Sequence, residues 1–142
     1  MKICDVMTRN VETVTPDQTV QEAAGFMLSA DTGSIPVTDG DKLVGMITDR
    51  DIAVRGIAKG YGPETLVRDL MTGDIIAVRE TDDVAAVAAK MSEAQVRRMP
   101  VIDSDAKLCG IVSLGDLSRE AQSGAATEVL SGVSQKGGAH QQ

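Results

Sequence analysis

Apolar positions recur along the chain in two alternating rhythms, and the alternation runs twice. Over 19–31 (TVQEAAGFMLSAD), Val20, Ala23, Ala24, Met27 and Leu28 fall at helical spacing on one face, and over 83–95 (DVAAVAAKMSEAQ) Val84, Val87, Ala88 and Met91 repeat it. Each predicted helix gives way to a strand at SIPVTD (34–39) or RMPVID (98–103). The chain then turns at Gly40-Asp41 or Ser104-Asp105 and returns on KLVGMIT (42–48) or KLCGIVS (107–113). Short β-rich runs, VETV (11–14) and IIAV (75–78), precede the helices. A further helix over about 49–60 meets stop signals at Gly60 and Gly62-Pro63. Each unit therefore reads strand, helix, strand, strand, helix, an α/β (α+β) pattern.

The two units are copies. A shift of 64 positions carries Asp5, Met7 and Thr8 onto Asp69, Met71 and Thr72, pairs Val14 with Val78, Val20 with Val84, Ala24 with Ala88 and Met27 with Met91, and sets Pro36 and Val37 on Pro100 and Val101. One extra residue near Lys107 raises the shift to 65, after which Leu43, Gly45 and Asp51 fall on Leu108, Gly110 and Asp116. Residues 1–62 form the first repeat, 63–122 the second, and the Gly-, Ser-, Ala- and Gln-rich stretch 123–142 reads as a flexible tail. A domain of some 60 residues buries only about 60% of the surface of its unfolded chain. The repeats are therefore expected to pack on each other about a pseudo-twofold axis, with two related crevices between them.

The copy includes one phrase with chemical content. Residues 45–52 read GMITDRDI and 110–117 read GIVSLGDL: glycine, two apolar residues, a hydroxyl residue, two variable residues, aspartate, aliphatic. Thr48 with Asp51, and Ser113 with Asp116, each fit a capping box that starts a helix without any ligand. The exposed amides of such a helix start also favour an anion, so capping and ligand binding are compatible. Asp17, Asp82 and Asp83 precede the predicted helices and read as caps or dipole-favourable charges. Met27, Met71, Met91 and Met99 read as gap-fillers in a core that has a single Phe, a single Tyr and no Trp.

Charge and composition narrow the function. A net charge of −7 opposes a nucleic-acid partner. No segment reaches the roughly 18 apolar residues of a membrane span, and MKICDVMTRN lacks a signal-peptide run, so no membrane partner and a cytoplasmic location are expected. Cys4 and Cys109 make no metal pattern. His140 is the single histidine, which removes Ser/His, Cys/His and HExxH machinery and argues against an enzyme.

The lead-ins VMT (6–8) and LMT (70–72), the strands IPV (35–37) and MPV (99–101), and the phrases GMITDRD and GIVSLGD, repeated in order and spacing, resemble a tandem pair of CBS domains, the Bateman module. The resemblance covers about 1–122. It implies a regulatory module that binds an adenosine-containing ligand, an adenine nucleotide (AMP, ADP or ATP) or S-adenosylmethionine; from the cysteine pattern, no metal requirement is expected. It also implies a homodimer, and an effector protein that reads the ligand state in trans.

Carried over by residue, one crevice has Thr48 and Asp51 toward ribose and phosphate and Met46 and Ile47 beside the base, completed by Val78, Arg79, Arg97, Arg98, Met99 and Pro100. The other has Ile111, Ser113 and Asp116, completed by Val14, Thr15, Gly33, Ser34, Ile35 and Pro36. Three arginines in the first set, against Thr15, Gly33 and Ser34 in the second, point to a phosphorylated ligand in the first. Arg97 and Arg98 equally fit cations at a helix end. The alternative to a ligand-binding module is a dimerisation scaffold with vestigial crevices.

Overall fold

The computed structural model describes residues 1–118, so the expected tail, 123–142, lies outside the described residues. The chain forms two compact units. One is Glu12–Ile75; the other joins Met1–Val11 to the described residues from Ile76 onward. The lead-in segments are thus exchanged relative to the sequence repeats: VMT packs with the strands of the second repeat and LMT with those of the first.

In the Glu12–Ile75 unit, helix α1 (Val20–Ala30) is followed by strands β1 (Ser34–Asp39) and β2 (Lys42–Thr48), and the short helix α2 (Val67–Leu70) closes it. Strands β1 and β2 pair antiparallel from Ser34↔Thr48 to Asp39↔Lys42, with a bulge after Val37. VETV supplies only a bridge, Val14 parallel to Val37. The Val14 amide donates to the Pro36 carbonyl (3.1 Å) and Thr38 N–H donates to Val14 (2.9 Å). One step earlier the ladder would need an amide from Pro36, which has none, so the predicted first strand stops there.

Helix α1 is capped by Thr19 and not by Asp17, which pairs with Arg68 instead. The Glu22 amide donates to Thr19 Oγ1 at 3.1 Å and the Thr19 amide donates to Glu22 Oε1 at 3.2 Å. That amide, with the Gln18 and Thr19 side chains, holds the Glu22 carboxyl below the usual carboxylate range. The helix expected over 49–60 is composite: it widens into a π-helical stretch over Asp51–Gly56, tightens to a 3-10 turn over Ile57–Lys59, and stops at Gly60 with φ 86°.

The other unit carries a 3-10 turn (Ile3–Asp5), β3 (Val78–Arg79), α3 (Val84–Ala94), β4 (Arg98–Ile102), β5 (Leu108–Ser113) and α4 (Leu114–Ser118). Its strands form one sheet in the order β3-β4-β5, β3 parallel and β5 antiparallel to β4. The two long helices differ in burial: α3 buries Val84, Val87, Ala88 and Met91, whereas α1 buries Val20, Ala23 and Met27 and leaves Ala24 exposed and Leu28 85% exposed. The wider stripe expected on α1 is therefore only partly used.

The hairpin turns differ where the extra residue sits. Gly40 takes φ 63° at no steric cost, but its counterpart turn puts Ala106 at φ 64°. An L-residue there is disfavoured by roughly 1–2 kcal/mol. Ala106→Gly is accordingly expected to raise stability by about 1 kcal/mol, measurable as a higher denaturation midpoint.

Candidate functional site

Each repeated phrase lies at the end of the second hairpin strand, where the chain turns into a helix. In the Glu12–Ile75 unit, the Thr48 amide donates to Asp51 Oδ2 (3.0 Å) and the Asp51 amide donates to Thr48 Oγ1 (3.0 Å). In the other unit, the Ser113 amide donates to Asp116 Oδ2 (2.9 Å) and the Asp116 amide donates to Ser113 Oγ (3.2 Å). Both corners are complete capping boxes. They are also firmly held: the Asp51 side chain is 15% exposed and lies 3.8 Å from Arg55 Nη1, and Asp116 is 4% exposed.

The segment preceding each strand-pair partner is fixed to the same corner. Ser34 stands opposite Thr48 in the register and the Gly33 carbonyl accepts from the Asp49 amide (2.9 Å). Arg98 stands opposite Ser113 and the Arg97 carbonyl accepts from the Leu114 amide (2.9 Å). The backbone therefore makes the same contacts in both units while the side chains differ: buried Gly33 and Ser34 in one, exposed Arg97 and half-buried Arg98 in the other. Arg79 is also exposed, with its amide donating to Asp82 Oδ2 at 2.9 Å.

The expected ligand residues divide by unit. Val14, Thr15, Gly33, Ser34, Ile35, Pro36, Met46, Ile47, Thr48 and Asp51 lie in Glu12–Ile75; Val78, Arg79, Arg97, Arg98, Met99, Pro100, Ile111, Ser113 and Asp116 lie in the other unit. Several of the apolar ones belong to the cores. Ile47, Ile35 and Val14 are buried together in one, and Val78 and Met99 in the other. Met46, one residue before Ile47, is half-buried and exchanges backbone hydrogen bonds with Thr72 (2.9 Å each).

That exchange reveals residues that sequence reasoning found but did not place. Thr72 and Met71 cross β2 at Gly45, where a Cβ would stand 2.7 Å from the Thr72 carbonyl oxygen and 3.0 Å from Met71 Sδ. Thr8 and Met7 cross β5 at Gly110 in the same way, with a Cβ at 2.7 Å from both the Thr8 carbonyl oxygen and Met7 Sδ. The opening glycine of the phrase is there to admit the Met-Thr strap.

Cys109 occupies the bulge of β5 and is half-buried; burial first, then the Glu80 and Asp103 charges, push its thiol up. The bulge of β2 holds Val44 in the same place, so Cys109 serves as a small apolar residue there. Among the described residues, no group of three or more His, Cys, Asp and Glu side chains is arranged to hold a metal, and no helix is long and apolar enough to cross a membrane.

The doubled corner has a counterpart in a family model, the CBS domain, which matches residues 3–55 and again 67–123. The chain belongs to the CBS domain family. Among its relatives, the CBS domain-containing protein YhcV of Bacillus subtilis is 41% identical over 114 residues, 80% of this chain and 81% of that one. Among solved structures, CBSX2 in complex with AMP is 31% identical with a TM-score of 0.75, covering 85% of this chain and 96% of that one. The CBS domain pair of MJ0100, in complex with 5′-methylthioadenosine and S-adenosyl-L-methionine, is 29% identical with a TM-score of 0.74, covering 86% and 93%.

Proposed function

We propose that this CBS-pair protein is a regulatory module that binds an adenosine-containing ligand, AMP, ADP, ATP or S-adenosylmethionine, and signals its presence to a partner protein without catalysing a reaction. The observation that carries this reading is the corner itself, built twice with the same reciprocal bonds. A carboxylate fixed by its own cap is an acceptor-only group in a defined place, suited to the paired hydroxyl donors of a ribose. The AMP held by CBSX2 and the adenosyl ligands held by MJ0100 support the choice of ligand class. Arg79, Arg97 and Arg98, gathered in one unit, suit a phosphate. The exposed Leu28, Val54, Ile57 and Tyr61, all in the Glu12–Ile75 unit, suit a homodimer contact. We place the protein in the cytoplasm, in keeping with such a ligand.

Isothermal titration of protein freed of copurified nucleotide, with AMP, ADP, ATP and S-adenosylmethionine in turn, tests the reading. Saturable heat with at least one is expected; none with any would sink it. A second reading, a scaffold with vestigial ligand positions, is favoured by the completeness of both capping boxes, which need no ligand to be satisfied.

A further inference from the structure

Arg55 touches both the Asp51 corner and the strap of its unit. Its Nη1 donates to the Met71 carbonyl at 3.3 Å and to Thr72 Oγ1 at 3.4 Å, and stands 3.8 Å from Asp51 Oδ1. One nitrogen with two N–H groups thus faces three acceptors. The carboxylate is divided in a matching way: Oδ2 is held by the Thr48 amide at 3.0 Å, which leaves Oδ1 facing Arg55.

The backbone beside Arg55 is seated on the same strap. Gly56 is buried where a Cβ would stand 2.8 Å from Leu70 Cδ1, so the π-helical stretch lies tight on α2, and Leu70 is followed directly by Met71. Thr72 in turn exchanges backbone hydrogen bonds with Met46 on β2. The sequence does not repeat the arginine. The shift of 65 that carries Asp51 onto Asp116 carries Arg55 onto Glu120, and a carboxylate has no N–H to give.

We infer that Arg55 is a positioning residue that couples occupancy of the Asp51 corner to the seating of the Met71-Thr72 strap. The inference rests on the function proposed above and names how the bound state leaves the corner. A ligand hydroxyl that donates to Asp51 Oδ1 takes up the acceptor that draws Arg55 toward the corner. Arg55 is then released to the Met71 carbonyl and Thr72 Oγ1, and the strap is held more tightly. The strap leads within three residues to Ile75, where the chain leaves this unit. Such coupling is reciprocal, so a tighter strap also favours the ligand.

The test compares the full-length wild type with Arg55→Met, which keeps an apolar stem and removes every side-chain N–H. Amide hydrogen exchange is followed without ligand and with AMP, ADP, ATP and S-adenosylmethionine in turn. The Thr72 and Met46 amides report the strap; the Val14 and Thr38 amides, bonded between Val14 and β1, report the unit as a whole. The Arg55 side chain is 46% exposed, so the variant is expected to fold, with Thr72 and Met46 exchanging about two- to fivefold faster without ligand. In the wild type, ligand is expected to slow Thr72 and Met46 about three- to tenfold more than Val14 and Thr38. In the variant that excess disappears while binding persists, weakened by no more than the same factor. An equal excess in the variant, or none in a wild type that binds, overturns the inference and leaves the proposed function standing. Loss of all binding in the variant also overturns it, because Arg55 would then hold the ligand itself. A wild type that binds none of the four removes the proposed function and this inference with it.

Discussion

Gly110→Ala is expected to destabilise the protein by about 1–3 kcal/mol, the usual cost of forcing a methyl into a filled space. The added Cβ would stand 2.7 Å from the Thr8 carbonyl oxygen as well as from Met7 Sδ. The thioether can swing away, but the carbonyl belongs to backbone already committed to β5: the Thr8 amide donates to Ile111 at 2.8 Å and the Ile111 amide donates to Thr8 at 2.9 Å. Relief therefore requires the strap to lift, and Met7 and Ile3 leave the core with it. Denaturant titration should show the lower midpoint, and hydrogen exchange should show the Thr8 and Ile111 amides losing protection ahead of α3. Gly45→Ala is expected to act alike through Thr72 and Met71. An unchanged midpoint in both variants would mean that the straps are not seated as described.

The straps also show where the sequence stops being legible. Internal repetition exposes two copies of every element, because copied side chains keep copied periods. The hairpins, the caps at Thr48 and Ser113, and the stop at Gly60 follow from local chemistry, and the structure has them. Which copy a lead-in joins is a different kind of fact. VMT and LMT share an aliphatic residue followed by Met-Thr, so no pattern distinguishes packing on the nearer hairpin from packing on the farther one. The close approach at Gly45 and Gly110 does distinguish them. The exposure of Ala24 and Leu28 was unreadable for a related reason: helical spacing gives the width of an apolar stripe, and tertiary packing decides how much of it is covered. Ser34 is the reverse case: its identity is plain in the sequence, and only the structure shows its hydroxyl unpaired among the described residues.

Replacing Asp51 and Asp116 together by asparagine is expected to separate capping from ligand binding. Asparagine keeps a side-chain oxygen that accepts from the Thr48 and Ser113 amides, so the helix starts survive and stability changes by no more than about 0.5 kcal/mol at each site. Alanine would cost about 1 kcal/mol at each through the lost cap. The ligand experiences the substitution differently. A carboxylate accepts through both oxygens, whereas an amide presents two N–H donors where the second acceptor stood, and these oppose ribose hydroxyls that must donate. Hydrogen bonds to a charged group contribute about 1.5–3 kcal/mol, so affinity for an adenine nucleotide is expected to fall roughly 10- to 100-fold per occupied corner. Calorimetric titration gives the affinity, and melting of the ligand-free variant gives the stability. If the melting temperature holds and binding collapses, the carboxylates act on the ligand. If the wild type binds and the double asparagine variant binds equally well, the repeated phrase does no more than start two helices, and the ligand is recognised elsewhere.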